Sequence, residues 1–152
     1  MEKLAIAVGV ILLSIPLHEF CHLICIWLLG DRRPRKVEWF SIKKDGLLSL
    51  ELGGAVYIED GIRLSKFLRG FCKKHYKVIG FAIGFSGGFG AAILLSTVSF
   101  LLLSAGLNIW KPFVIVAGFQ LLYSVREGIS VAKNTIGYKE ILEESAHEQE
   151  RT

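Results

Sequence analysis

The sequence predicts a membrane α-helical fold, with a core of three transmembrane helices and a small β-sheet or hairpin inserted between the first and second spans. Three observations lead to this fold class. Apolar residues make up 52% of the 152 residues, which is more than an ordinary soluble domain of this length contains. Three stretches are apolar over the length that a bilayer requires. The loop after the first stretch alternates strand-forming residues with turn residues.

The predicted spans cover about residues 4–30, 78–106 and 112–131. The third span is the weakest, because Gln120, Arg126 and Glu127 interrupt it. The first apolar run continues past His22 without a small-residue cleavage pattern, so we expect it to stay in the mature protein. Residues 1–152 are predicted to form a single membrane-embedded domain.

Basic residues predict the orientation. Of the 18 Lys and Arg, 12 lie within residues 31–77 and four lie from Arg126 onward, whereas the link between the second and third spans holds only Lys111. The positive-inside rule therefore places the loop and the tail 132–152 in the cytoplasm, with the N-terminus outside. We expect a multi-pass protein of the cell membrane. Anionic lipid accounts for the net charge of +4, so no nucleic-acid partner is expected.

The cytoplasmic loop 31–77 is predicted to be rich in β-structure. Three segments, 36–42, 47–52 and 55–59, are rich in β-branched, aromatic and apolar residues. Asp45-Gly46 and Gly53-Gly54 separate them and suit turns. Residues 62–76 are basic and amphipathic, which predicts an interfacial segment that leads into the second span.

The segment His18-Glu19-Phe20-Cys21-His22 lies within the first span and has the HExxH spacing of zinc peptidases. Residues four apart share one face of a helix, so both imidazoles can reach one ion, while Glu19 projects about 100° away. Glu19 can therefore act as a general base toward a water at the metal. Without partners, these side chains would cost on the order of several kcal/mol in hydrocarbon. We expect a Zn²⁺ cofactor here.

A catalytic zinc site usually has a third protein ligand. The candidates elsewhere in the chain are Glu127, Asp60, His75, Cys25 and Asn134. Depth favours Glu127. His18 lies about 21 Å along its helix from the start of the first span, and Glu127 lies about 22 Å along its helix from the start of the third. Pairing of Glu127 with Arg126 or with a lysine at the interface is the alternative.

Within the second span, the segment 80–92 is rich in glycine and contains Gly80, Gly84, Gly87, Gly88 and Gly90. Glycines let membrane helices approach closely and also leave the backbone near a site unobstructed. Both explanations stay open. Ser86 is the side-chain donor within this segment.

The order of these features resembles the site-2 proteases, a family of intramembrane zinc metalloproteases. HEFCHLICIWLLG is similar to the HExxH helix of that family, and KVEWFSI and LELGGAVYI are similar to the two strands that follow. GFSGGFGAA resembles its central glycine motif, and FQLLYSVREG lies where the family has a helix with an aspartate-glycine ligand motif. The resemblance covers residues 13–128.

The resemblance implies zinc-dependent hydrolysis of peptide bonds in or near transmembrane helices. It implies that His18, His22 and Glu127 bind the metal and that Glu19 is the catalytic base and then acid. The second strand would bind the unwound substrate through main-chain pairing. Its residues are Gly53, Gly54, Ala55 and Val56. The expected partners are a transmembrane protein substrate and the lipid bilayer.

The sequence departs from the family pattern at several places: its third helix has no proline at the usual places, and Ala91 lies near the polar position of the central motif. Gln120 replaces an asparagine, Gly88 replaces a proline and Glu127 replaces an aspartate. A catalytically inactive homologue that binds membrane helices or regulates a partner is therefore an alternative, although a structural metal site needs no base such as Glu19. A metal transporter agrees less well, because no second polar cluster continues a pathway. Hydrophobicity excludes a soluble zinc peptidase.

Overall fold

The computed structural model describes residues 2–32, 34–45, 49–56 and 66–133. The elements are α1 (Glu2–Leu28), β1 (Val37–Asp45), β2 (Ser49–Val56), α2 (Lys66–Ser104) and α3 (Lys111–Lys133). The three helices are long and apolar enough to cross a bilayer over Leu4–Leu28, Lys77–Ser104 and Lys111–Lys133. The prediction of three helices that are long and apolar enough to span a membrane is confirmed. Residues 57–59 of the predicted β-segment and 134–152 of the predicted tail lie outside the described residues.

Glycines end the first two helices. Gly30 and Gly106 have φ angles of 107° and 72°, in the left-handed region that glycine adopts without a Cβ clash. At each of them the next residue donates its N–H to the carbonyl five residues back, Asp31 to Ile26 at 3.2 Å and Leu107 to Leu102 at 2.9 Å. This is the Schellman arrangement, which satisfies carbonyls that a helix end leaves open.

The central helix of the protein is α2. In the most apolar 18-residue segment of each helix, the buried share is 50% for α2, 28% for α1 and 22% for α3. The outer helices instead expose large apolar side chains, for example Leu4, Phe119 and Leu122, each of which is at least two-thirds exposed. A surface of this kind is rare on a monomer in water, whereas lipid tails cover it in a bilayer.

A break in α2 separates its basic first part from its apolar span. His75 has φ −127° and ψ 34°, which are not helical values. The break lies between the predicted interfacial segment and the predicted start of the span at Val78. The described part of that segment, residues 66–74, is helical on the N-terminal side of the break.

The predicted sheet is a two-stranded antiparallel pair of β1 and β2. The register joins Glu38 to Ala55 and Ser41 to Gly53, so two residues of β1 lie opposite Gly54 alone. The turn that we expected at Gly53-Gly54 is wrong, because β2 continues through both glycines and the irregularity is a bulge in β1.

A small apolar core joins the three helices near the N-terminal ends of α1 and α3. It contains one residue of α1 and two residues from each of the other helices: Val10, Ala92, Leu95, Val116 and Ala117. Along α1, this core lies about 12 Å before His18, taking 1.5 Å per residue. The core therefore holds α1 and α3 together near their N-terminal ends. The HExxH segment lies farther along α1, about 12 Å from this core.

Candidate metal centre

The helix α1 presents His18 and His22 to Glu127 of α3. The two Nε2 atoms lie 3.1 Å apart. Glu127 Oε2 lies 2.9 Å from His18 Nε2, and Glu127 Oε1 lies 3.3 Å from His22 Nε2. Within the described residues, these three side chains form the group of His, Cys, Asp or Glu that could hold a metal ion. The structure therefore brings together the three ligands that the sequence predicts, while metal binding itself stays a prediction.

The histidines are buried, and the glutamate faces a more open side. His18 and His22 are 5% and 6% exposed, whereas the Glu127 side chain is 27% exposed. Since α3 supplies the more accessible ligand, an ion would be reached more easily from the side of Glu127 than from the interior of the bundle.

The main chain of α2 orients His22. His22 Nδ1 lies 2.8 Å from the carbonyl oxygen of Ile83. A carbonyl oxygen can only accept, so Nδ1 carries a proton and Nε2 is the ring atom directed at His18 and Glu127. Ser86 Oγ donates to the same carbonyl at 2.7 Å. The predicted side-chain donor of α2 is thus a neighbour of the His22 anchor.

Side chains of two helices hold His18. His18 Nδ1 lies 2.8 Å from Gln120 Oε1, and Gln120 Nε2 donates to Ser14 Oγ at 3.0 Å. The Tyr123 ring meets the His18 ring edge to face, with centroids 5.6 Å apart. Sequence reasoning missed these contacts, although Ser14 stands one helical turn before His18 and Gln120 stands two turns before Glu127, on the ligand faces of their helices.

The glycines of α2 let the three helices approach one another around His18, His22 and Glu127. A methyl carbon added to Gly87 would lie 2.6 Å from His18 Nε2 and closer still to His22 Nε2. A methyl carbon on Gly84 would lie 3.0 Å from the Glu127 carbonyl oxygen, and one on Gly88 would overlap the Gln120 carbonyl oxygen. Both explanations for the glycines therefore apply, because Gly87 faces the histidines and the other two permit close packing on α3.

The predicted base, Glu19, is buried but is not one of the three clustered groups. It is 6% exposed and interacts electrostatically with His18, His22 and Glu127. On its other side it touches β2, since a methyl carbon on Gly54 would lie 2.6 Å from Glu19 Cγ. The absence of a side chain at Gly54 is what lets the strand approach the carboxyl group.

The predicted substrate strand therefore lies beside the predicted base. Gly53, Ala55 and Val56 pair with β1 on one edge of β2. Within the described part of the chain, β2 has no strand on its other edge. Main-chain groups of an extended peptide could pair there.

Two of the other candidate ligands, Cys25 and His75, do not join the cluster. Cys25 is a free thiol whose Sγ lies 4.0 Å from the Ala82 carbonyl oxygen. His75 is at the break of α2, outside the apolar span. Asp60 and Asn134 lie outside the described residues.

The cluster has the chemistry of a zinc site. Two imidazoles and a glutamate are the ligand set of one class of catalytic zinc centre, and ligands at tetrahedral angles lie about 3.3 Å apart. The distances of 2.9, 3.1 and 3.3 Å are close to that value. The Nε2 atoms of both histidines and the Glu127 carboxylate converge on one point, where a cation would be bound by all three. The residues present are therefore suited to hold zinc.

Comparison of the chain with protein-family models, with curated proteins and with solved structures found no match.

Proposed function

We propose that the protein is a zinc-dependent endopeptidase that hydrolyses peptide bonds in or near transmembrane helices, similar in plan to the site-2 proteases. One observation supports the proposal: a buried carboxyl group, Glu19, lies between three clustered side chains that could hold a metal ion and a strand whose outer edge can pair with a peptide. A site that only held a structural ion would need neither the base nor the strand.

His18, His22 and Glu127 would hold the metal. When bound, zinc acts as a Lewis acid and increases the acidity of water at the site. The buried histidines keep their orientation through the Nδ1 contacts with Ile83 and Gln120, so their Nε2 atoms stay directed at the same point. Such partners orient the ligands of metal sites in general.

Glu19 moves the proton. Its carboxylate takes a proton from the attacking water, whose oxygen forms a bond to the carbonyl carbon of the substrate. The carbon–nitrogen bond then breaks, and Glu19 returns the proton to the leaving nitrogen. The HExxH spacing suits this role, because Glu19 is displaced from the ligand face of α1 and interacts with both histidines without joining them.

The strand β2 would receive the substrate. The peptide groups of a transmembrane helix are engaged in internal hydrogen bonds, so the helix must unwind before a carbonyl reaches the site. The outer edge of β2 at Gly53–Val56 offers replacement partners for the unwound segment. Because Gly54 contacts Glu19, a peptide on this edge would lie close to the base.

We also propose that the N-terminus lies outside the cell membrane and the C-terminus in the cytoplasm. The cluster of 12 Lys and Arg within residues 31–77 supports this orientation. A reporter fused after Thr152 that is active only in the cytoplasm tests it. Activity of a periplasmic or extracellular reporter at the same position would reverse the orientation.

Cleavage of a membrane reporter tests the enzymatic proposal. The reporter is a tagged single-span protein with a Gly-Pro pair in its span, which favours unwinding. We expect the wild type to cleave it and Glu19→Gln to leave it intact while keeping about one zinc per chain. Glu144→Gln, in the charged tail, is the matched control and should cleave normally.

The outcomes separate the proposals. Cleavage by Glu19→Gln at the wild-type rate would contradict the role of Glu19. A wild type that carries zinc and forms a stable complex with the reporter without cleaving it would favour the alternative, a membrane helix-binding protein.

A further inference from the structure

We infer that Ser14 and Gln120 are positioning residues that hold His18 as the Nδ1–H tautomer, leaving its Nε2 free to bind a metal. The inference rests on the metal centre of the proposed function but not on proteolysis. The partner of Nδ1 differs between the two histidines. His22 faces a main-chain carbonyl, whereas His18 faces a side-chain amide that could present either its oxygen or its nitrogen.

A main-chain carbonyl fixes which group donates in each hydrogen bond between Ser14, Gln120 and His18. The Ile11 carbonyl oxygen can only accept, and Ser14 Oγ donates its single proton to it at 2.7 Å. Ser14 Oγ then has only lone pairs left for its other partner. The group of Gln120 that lies 3.0 Å away must therefore be the amide nitrogen, Nε2.

The orientation of the Gln120 amide determines which of its atoms faces His18. With Nε2 turned toward Ser14, the oxygen Oε1 faces His18 Nδ1 at 2.8 Å. An amide oxygen only accepts, so Nδ1 must carry the proton. The proton on Nδ1 leaves Nε2 as the ring atom that can bind a metal, and it is this atom that lies 2.9 Å from Glu127 and 3.1 Å from His22.

The helices place the two positioning residues with little freedom. Ser14 is 3% exposed and lies one turn before His18 on α1. Gln120 lies two turns before Glu127 on α3, so one face of α3 presents both the ligand and the amide. Close packing at Gly88, where a methyl carbon would overlap the Gln120 carbonyl oxygen, sets the distance of this part of α3 from α2.

Apolar surroundings leave the pair few competing partners. Ser14 and Gln120 lie at one end of a cavity of about 590 Å³ between α1 and α3, whose other walls are mostly apolar. The polar lining residues Asn108 and Lys111 belong to the opposite end. Lys111 is nine residues before Gln120, about 13.5 Å along the helix. Neither of these two residues can replace a lost bond in the Ser14–Gln120–His18 chain.

Nuclear magnetic resonance of the purified protein tests the inference directly. Nitrogen-15 shifts of labelled histidine report which ring nitrogen of His18 carries the proton, and a chromophoric chelator competing for Zn²⁺ reports affinity. We expect Gln120→Leu to lose the Nδ1–H tautomer and to bind Zn²⁺ roughly 10- to 100-fold more weakly, as for other partners of metal-bound histidines. Ser14→Ala should change both readouts in the same direction.

Two further variants separate positioning from packing. Ser124→Ala is the matched control, because Ser124 is a fully buried serine whose hydroxyl donates at 2.7 Å to Leu121 of its own helix. It should leave the tautomer and the affinity unchanged. Gln120→Glu keeps an acceptor toward His18 Nδ1 but removes the N–H that Ser14 accepts, so it should keep the Nδ1–H tautomer even if Gln120→Leu fails to fold.

The inference is overturned by a wild type whose His18 Nδ1 carries no proton, by a Gln120→Leu variant that retains the tautomer and the affinity, or by a Gln120→Glu variant whose His18 Nδ1 loses its proton. Loss of Zn²⁺ binding in Ser124→Ala equal to that in Ser14→Ala also overturns it. The tautomer can be read without metal and without substrate. A protein that shows the Nδ1–H tautomer but no proteolysis would therefore refute the proposed function alone.

Discussion

Substitution of Gly87 by alanine should damage the metal centre without removing any ligand. The added methyl carbon would lie 2.6 Å from His18 Nε2, 2.6 Å from His22 Cε1 and closer still to His22 Nε2. These atoms are not flexible chain ends, because each ring is held through its Nδ1, at 2.8 Å in both cases. The rings therefore cannot turn aside without losing a hydrogen bond.

The size of the required movement exceeds what a metal site tolerates. Ordinary van der Waals contact begins at 3.4 Å, so a contact of 2.6 Å requires a shift of about 0.8 Å, whereas ligand distances in metal sites hold to about 0.2 Å. A retreat of α2 from α1 gives no relief, because it would lengthen the bond from His22 to Ile83. Overpacking of this kind costs about 1–3 kcal/mol, which corresponds to roughly a 5- to 150-fold loss of Zn²⁺ affinity.

Zinc titration against a chromophoric chelator, with the protein in detergent micelles, measures this loss. Gly118→Ala is the matched control, since nothing lies within 4 Å of a methyl carbon at that position of α3. Both substitutions gain the same helix propensity, up to about 1 kcal/mol. The difference between the two variants therefore isolates the clash with the imidazoles. Circular dichroism checks that both remain helical.

A Gly87→Ala protein that binds Zn²⁺ as tightly as Gly118→Ala would refute the reasoning. It would mean that the ion does not use the Nε2 atoms that face Gly87, or that the rings are free to rotate. Either result would remove the geometric basis of the proposed centre, even if some metal were still bound elsewhere.

Three further predictions concern the ligand, the base and the metal. Glu127→Gln removes the charge that faces both histidines, so Zn²⁺ affinity should fall by at least about tenfold; unchanged zinc content would assign the third ligand elsewhere. Gly54→Ala should displace Glu19 and lower cleavage of the membrane reporter by about 100-fold while zinc content stays at the wild-type value, and normal cleavage would separate β2 from the base. Zn²⁺ at 100 times its Kd should stabilise the wild type by about 2.7 kcal/mol, seen as a higher Tm, and a Tm that ignores zinc would exclude a native metal site.

Features that depend on a single helix, such as its end and the depth of a residue along its axis, could be predicted from the sequence. Span limits placed at Gly30 and Gly106 agree with the helix ends to within two residues, because a left-handed glycine is a local signal. The similar depth of Glu127 and His18 was predicted by counting 1.5 Å per residue along two helices that begin on the same side. Rise per residue depends only on the helix, so no tertiary knowledge was needed.

Features that depend on how elements pack were missed or misread. Gly53-Gly54 was interpreted as a turn, since glycine pairs usually mark one, but Gly54 is in β2 because Glu19 occupies the space where a side chain would be. From the sequence, Gln120 was an interruption of the third span and a replacement for the asparagine of the family pattern, and its contacts with Ser14 and His18 were not predicted. Its partners depend on the rotation of α3 about its own axis, which Gly84 and Gly88 help to set through contacts that no single-helix pattern reveals.

The centre shows a division of roles among the helices that explains why α2 carries glycines instead of ligands. α1 and α3 supply all three clustered side chains, and the cavity of about 590 Å³ lies between these helices beside the apolar core, reaching Ser14 and Gln120 near the site. They must therefore be positioned through α2, which lies against both. α2 does this with the Ile83 carbonyl and with missing side chains at Gly84, Gly87 and Gly88. Polar bonds across the α1–α3 gap, from Ser14 through Gln120 to His18 and from His18 to Glu127, then join the two outer helices where apolar packing does not, and in lipid such bonds between helices are favourable.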